Sequence, residues 1–221
     1  MQKSKITPWY YENKFYETSD KSRILKIIDH YEIFKKIKNV QGDIYEFGVF
    51  KGVSLIRFLT FRDLFENSKK RKIIGFDAFG NFPRAKLSNI NKYNDNEFAK
   101  NHDAKIGKGI KKEKLINILK KKNFSNFELL KGNIIKTLPI YLQKNPNIKI
   151  ALLHIDLDTY ESTDFVLNIL YKNVVKKGLL LIDDYKHIKG ATMAVNKFLK
   201  LNNLEIHKVS QHGRPYYIIK K

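Results

Sequence analysis

Five carboxylates in this chain stand where apolar runs stop. The run IALL leads into HIDLDTYEST, His154 to Thr163, which delivers Asp156 and Asp158 one residue apart. A second run, LLLI, ends in Asp183 and Asp184, and KIIGF ends in Asp77. Burying a carboxylate is costly unless something compensates it. Acids gathered at one sheet edge repel one another unless they meet a cation or a donor-rich ligand. Asp156, Asp183 and Asp184 are hard oxygen donors with no Cys beside them, a set that suits Mg²⁺ or a similar cation. Asp158, two residues on, is spaced to act as a general base rather than as a ligand.

A second constellation is EFGVFKGVS, Glu46 to Ser54, which reads as strand, glycine turn and helix. Gly48 and Gly52 let backbone approach a ligand near a helix N-terminus. The turn is not GxGxxG, and taken alone it also fits a plain strand-to-helix connection. Asp77 ends the following strand, where an acid commonly meets a ribose hydroxyl. Glu46, the glycines and Asp77 together suggest an adenosine-containing cofactor.

Strands must alternate with helices to bring these acids to one edge. Residues 20–37 carry Ile24, Ile27, Ile28, Tyr31 and Phe34 at helical spacing. Then come a strand at IYEFG, a helix at GVSLIRFLTFRDLF and a strand at 72–77. Residues 80–108 read as an irregular polar loop, long enough to be functional. A helix follows at about 111–122, then a strand at FELLK. TLPIYLQK reads as a short helix, with Thr137 as its cap and Pro139 in its first turn. IKIALLHID and KKGLLLIDD are continuous apolar strands of the kind buried in parallel sheets. STDFVLNILYKNVV is a helix with Ser162 as a cap candidate and Asp164 suited to the helix dipole. GATMAVNKFLKLN is the last helix, and EIHKVSQHGRPYYIIK closes the chain as a hairpin. The expected fold is one doubly wound α/β domain over 1–221, with a mostly parallel sheet and an antiparallel end. Residues 1–40 form a helical N-terminal segment, and Trp9, Tyr10 and Tyr11 are expected to anchor it.

Composition narrows the function. The chain has 221 residues, 43% of them hydrophobic, enough for a sizeable core. It has no Cys, which excludes disulfides, thiolate metal sites and cysteine catalysis and fits a cytoplasmic location. The N-terminus lacks an apolar signal segment, and no window is long enough to span a bilayer. The net charge is +21. Its lysines are scattered, as a biased proteome would leave them; the other reading is an acidic partner. The densest cluster, 108–123, has Leu115, Ile116, Ile118 and Leu119 on one helix face, so its lysines form a solvated face. A nucleic-acid-binding protein is the rival that +21 raises, but no aromatic-basic stripe supports it, and no nucleic-acid partner is expected.

The segments GDIYEFGVFKGVS, GFDAFGNFP, LLKGNIIKTLP, HIDLDTYEST and LLLIDDY resemble, in order and spacing, the macrocin O-methyltransferase family. The likeness runs from about residue 40 to 200. It implies a Rossmann-like class I methyltransferase fold with an antiparallel last strand, and a sugar O-methyltransferase using S-adenosylmethionine and Mg²⁺. It implies Asp156, Asp183 and Asp184 as metal ligands and Asp158 as the base. Glu46, Gly48, Val49, Lys51, Gly52, Val53, Ser54, Asp77, Ala78 and Phe79 fall in cofactor segments, as do Asp156 and, on the adenine side, Gly132 and Asn133. The acceptor would be a sugar or sugar nucleotide, and a homodimer is the family's expectation. Two departures stand out: His154 replaces a usual Arg, and Ala78 a common Ser. Residues 84–110 align poorly and are expected to belong to a substrate lid. His154, Tyr160 and His187 are substrate candidates, although His154 and Tyr160 fit core packing as well. A catechol or phenol acceptor, handled by the same metal chemistry, is the enzymatic alternative.

Overall fold

A computed structural model describes residues 7–83 and 95–221. Its element order is α1 (Pro8–Thr18), α2 (Lys21–Ile37), β1 (Asp43–Phe47), α3 (Val53–Phe65), β2 (Ile73–Asp77), α4 (Asp95–Lys105), α5 (Lys112–Lys121), β3 (Phe127–Lys131), α6 (Ile134–Lys144), β4 (Ile150–Ile155), α7 (Tyr160–Leu170), β5 (Val174–Ile182), α8 (Lys189–Asn202), β6 (His207–Lys208) and β7 (Tyr216–Ile219).

The strands form one sheet in the order β3-β2-β1-β4-β5-β7-β6. The first five are mutually parallel, and β7 runs antiparallel between β5 and β6. The order reverses between β1 and β4, which puts a crevice at their carboxyl ends. The central strands are apolar on both faces because helices cover both. Phe47, Leu153, Ile155 and Leu180 face a core shared with α6, α7 and α8. Ile44, Leu152 and Leu181 face the opposite core with α2, α3 and α5.

Two buried arginines close the sheet's other end. Arg71 grips both Glu66 carboxylate oxygens, at 2.8 and 2.7 Å, and donates to the carbonyls of Ile37, Lys38 and Gly42. Arg62 donates to the carbonyls of Arg71, Ser125 and Asn126. These charges tolerate full burial because their donors are satisfied.

The structure corrects four readings. Residues 95–105 of the expected loop form α4; its apolar content is too low to show a helical period. Asp95 and Glu97 in the first turn and His102 and Lys105 in the last complement its dipole instead. The remainder of that loop, 84–94, lies outside the described residues. Helix α6 starts at Ile134, capped by Asn133, whose side chain accepts from the Ile135 N–H at 2.9 Å. Thr137 and Pro139 are therefore interior, and the proline forfeits one helical hydrogen bond. Helix α7 starts at Tyr160, and Ser162 does not cap it. Finally, α1 buries no residue, and Trp9 is 72% exposed, so the aromatic cluster anchors nothing within the described chain.

Candidate active site

Strand β1 ends in a turn that glycine alone can make. Gly48 has φ +92°, and a Cβ there would stand 1.8 Å from the Asp156 carbonyl oxygen. Gly52 has φ +83°, and its Cβ would press on the Leu115 side chain at 2.6 Å. The turn is fastened from β2: one Asp77 carboxylate oxygen accepts from the Val49 and Phe50 N–H groups, each at 2.9 Å. The other Asp77 oxygen accepts from the Phe79 N–H. Asp77 therefore shapes the turn while its carboxylate lines the crevice.

One cavity runs along these strand ends. It is lined by Gly48, Asp77, Ala78, Gly132 and Asn133, together with Asp156 and Asp158. A continuing pocket is lined by Val49, Lys51, Val53, Ser54 and Asp156, with Arg23, Lys26 and Arg57 around it. Most of the residues expected at a cofactor site thus converge on one crevice. Two do not line it. Glu46 is fully buried behind Ser54 and accepts from its hydroxyl at 2.6 Å. Phe79 is 2% exposed and packs in the core with α3 and α5.

The acids gather beside this crevice. Asp156, Asp158 and Asp184 each offer a carboxylate oxygen, all within 4.8 Å of one another. Asp158 has φ +61°, and its N–H donates to an Asp184 oxygen at 2.8 Å. Burial, reinforced by Asp156, pushes the Asp158 carboxyl up to about 7. Burial also raises Asp156 well above the usual carboxylate range, with Asp183 and Asp184 adding to it. Asp184 is raised in the same way, by burial and then by Asp158 and Asp183. Like charges forced together in a dry site make a strong cation demand.

Asp183 stands slightly apart. Its Oδ2 accepts from the Lys26 ammonium of α2, and its Oδ1 has no hydrogen-bond partner. Burial pulls Lys26 down, but Asp156 and Asp183 more than offset that and leave it above the usual lysine range. The structure thus brings Asp158 closer to Asp156 and Asp184 than the grouping of Asp156, Asp183 and Asp184 implied.

A third pocket opens over the acids. Phe98 and His102 from α4, and Ile106 just beyond it, line it with Asp158, Asp183 and Asp184, as do His187 and Arg214. Helix α4 is held there by Asp95, whose carboxylate caps α7 by accepting from the N–H groups of Tyr160 at 2.8 Å and Glu161 at 3.3 Å. Residues 107–110 close the side of the site: the Gly109 N–H donates to the Gly80 carbonyl and the Ile110 N–H to that of Phe50, both at 2.8 Å.

Of the substrate candidates, His187 lines this pocket. His154 does not, because it is fully buried in β4 beneath the acids. Tyr160 packs toward α8, where Lys197 reaches its hydroxyl at 3.3 Å. Sequence reasoning missed Lys26, Asp95 and Arg214. Lys26 sits among many lysines, and Asp95 in a segment with no readable period. Only the acid-to-amide geometry of the folded chain singles Asp95 out.

The residues present fit both groups that the sequence suggested. Gly48 lets the end of β1 lie against the Asp156 backbone, where a Cβ would collide, and so shapes the crevice open to a cofactor; the acids supply hard oxygen donors for Mg²⁺. No curated protein matches the chain. Among solved structures, that of NovP, an O-methyltransferase, superposes with a TM-score of 0.75 at 22% identity, covering 90% of this chain and 80% of that one. The apo structure of CalS11, described as a TDP-rhamnose 3′-O-methyltransferase of calicheamicin biosynthesis, superposes with a TM-score of 0.69 at 23% identity, covering 98% of this chain and 88% of that one. These likenesses establish the class I methyltransferase fold. The family model of macrocin-O-methyltransferase (TylF) matches residues 21–214. The chain therefore belongs to the macrocin-O-methyltransferase family and is an O-methyltransferase.

Proposed function

We propose that the chain methylates a hydroxyl of a sugar, free or nucleotide-linked, using S-adenosylmethionine with Mg²⁺ as a required cation. The observation that carries this reading is the position of Asp158: a carboxylate raised to about 7, beside Asp156 and Asp184, lining the crevice. A family of sugar methyltransferases and a solved relative described as acting on TDP-rhamnose support a sugar as the acceptor.

S-adenosylmethionine, when bound, supplies an electrophilic methyl group, and Mg²⁺ supplies a Lewis acid that lowers an acceptor hydroxyl's pKa. The cofactor would lie along Gly48, Asp77, Ala78, Gly132 and Asn133, with its amino-acid end toward Lys51 and Ser54. Asp156, Asp183 and Asp184 would hold the cation; Asp183 then exchanges its Lys26 contact for that role. Asp158 takes the hydroxyl proton on its carboxylate. Its elevated pKa near neutrality suits a general base. Helix α4 covers the reacting atoms and excludes water, and fixing the nucleophile against the methyl group provides much of the rate. His187 and Arg214 face the acceptor from the open side.

The test is transfer of labelled methyl to panels of sugars, nucleotide-sugars and catechols, with Mg²⁺ and with EDTA. The expected result is Mg²⁺-dependent transfer to a sugar. Transfer to catechols alone would replace the acceptor class, and transfer undiminished by EDTA would remove the metal.

A further inference from the structure

Beside the candidate active site lies a knot of buried polar atoms whose two histidines the proposed chemistry does not use. His30, from α2, and His154, from β4, are both fully buried, and neither nitrogen of either ring has a hydrogen-bond partner. Asp183 Oδ1 and Glu46 Oε2 are buried without a hydrogen bond in the same place. Native proteins rarely leave such groups unsatisfied, and six such atoms within one cluster call for an explanation. The two rings stand 5.5 Å apart, centroid to centroid, edge to face, with Phe58 stacked on His30. His30, His154 and Asp183 each offer a ligand atom, all within 4.8 Å of one another.

We infer that His30, His154 and Asp183 form a second cation site, for a divalent transition metal of the zinc or ferrous class, separate from the oxygen-only Mg²⁺ site. The donor set decides the class. Two imidazoles and one carboxylate suit zinc or iron, whereas Mg²⁺ prefers oxygen and water. Glu46 completes the arrangement. Its Oε2 lies 3.8 Å from His154 Nδ1, and its Oε1 is fixed by Ser54. A carboxylate behind a ligating histidine orients the ring and raises its basicity. The two sites share Asp183, whose Oδ2 accepts from Lys26 while its Oδ1 is buried without a hydrogen bond. A bridging carboxylate of this kind is common where two cations sit close together. An ion there ties α2 to β4 and β5 directly behind the catalytic acids.

The proposal goes beyond methyl transfer and does not depend on it. The test is titration of chelator-treated protein with Co²⁺, in saturating Mg²⁺ so that the oxygen site is filled, followed by visible absorption. The expected result is one Co²⁺ per chain with the intense d–d bands of a nitrogen-ligated, low-coordinate ion, displaced by Zn²⁺. In His30→Gln those bands vanish and affinity falls by at least about 100-fold, while S-adenosylhomocysteine still binds. Absence of Co²⁺ uptake by the wild type, or wild-type bands in His30→Gln, would overturn the site; buried water would then satisfy the orphaned atoms. Should His30→Gln fail to fold, X-ray absorption of the zinc-loaded wild type decides. Imidazole back-scattering supports the site, and an oxygen-only shell overturns it.

Discussion

The backbone N–H of Asp158 donates to the Asp184 carboxylate at 2.8 Å, tying the end of β4 to the end of β5. This bond holds Asp158 at a positive φ of 61°, a conformation that Asp tolerates better than most residues. Asp184 spends one oxygen on that N–H, while Asp158 lines the crevice, where the proposed mechanism uses it as the base.

Asp158→Asn keeps the size of the side chain and removes its basicity. Turnover should fall by about 10²- to 10⁴-fold, the usual contribution of a general base. Affinity for S-adenosylhomocysteine should stay within a few-fold of wild type. Single-turnover methyl transfer and calorimetry on the same preparation check both halves. Normal turnover in the variant would assign the base elsewhere.

The raised carboxyls make stability depend on pH with a defined sign. Asp156, Asp158 and Asp184 all have folded pKa values above the unfolded ones. They favour the fold most when protonated, below about pH 4. That contribution is lost as pH rises through the folded values, near 7 for Asp158. In EDTA, this part of the stability should therefore decline between pH 5 and 8. Mg²⁺ binds the ionised forms, so it should raise the melting temperature more at pH 8 than at pH 5.5. Thermal unfolding with and without Mg²⁺ across that range reads the difference.

Gly48→Ala would put a methyl group 1.8 Å from the Asp156 carbonyl oxygen, at a φ that only glycine adopts freely. The turn and the β4 end cannot both keep their places. The expected outcome is loss of S-adenosylhomocysteine binding together with destabilisation of several kcal/mol. Denaturant titration beside calorimetry separates the two effects.

Asp95→Ala removes the cap of α7 and the tether of α4 in one change. The loss of a cap costs about 1 kcal/mol, within a range of roughly 0.5–2. Because α4 carries Phe98 and His102 to the pocket beside the acids, with Ile106 directly after it, the acceptor KM should rise while cofactor affinity holds. Unfolding curves and acceptor saturation curves test these together.

The sheet and the acids were legible in the sequence because both leave strong local marks. IALLHID and LLLIDD announce buried strands by unbroken apolar runs, and their terminal acids stand out against that background. The antiparallel hairpin was legible from HGRP between two alternating stretches. What could not be read was everything fixed by distant partners. Asp95 caps a helix 65 residues away, and Lys26 reaches Asp183 across 157. The start of α6 was lost because Asn133 and Thr137 are both capable caps, and only the folded backbone chooses. His154 looked like a core histidine or a substrate contact. The structure makes it a core residue, but one facing His30 and Glu46, a juxtaposition no single stretch encodes.

The central claim is tested most directly by calorimetric titration with S-adenosylhomocysteine, with and without Mg²⁺, on the wild type and on Asp183→Ala. The account predicts cofactor binding to both proteins and Mg²⁺ uptake by the wild type that the variant loses or weakens severely. Failure of the wild type to bind S-adenosylhomocysteine under either condition would contradict it.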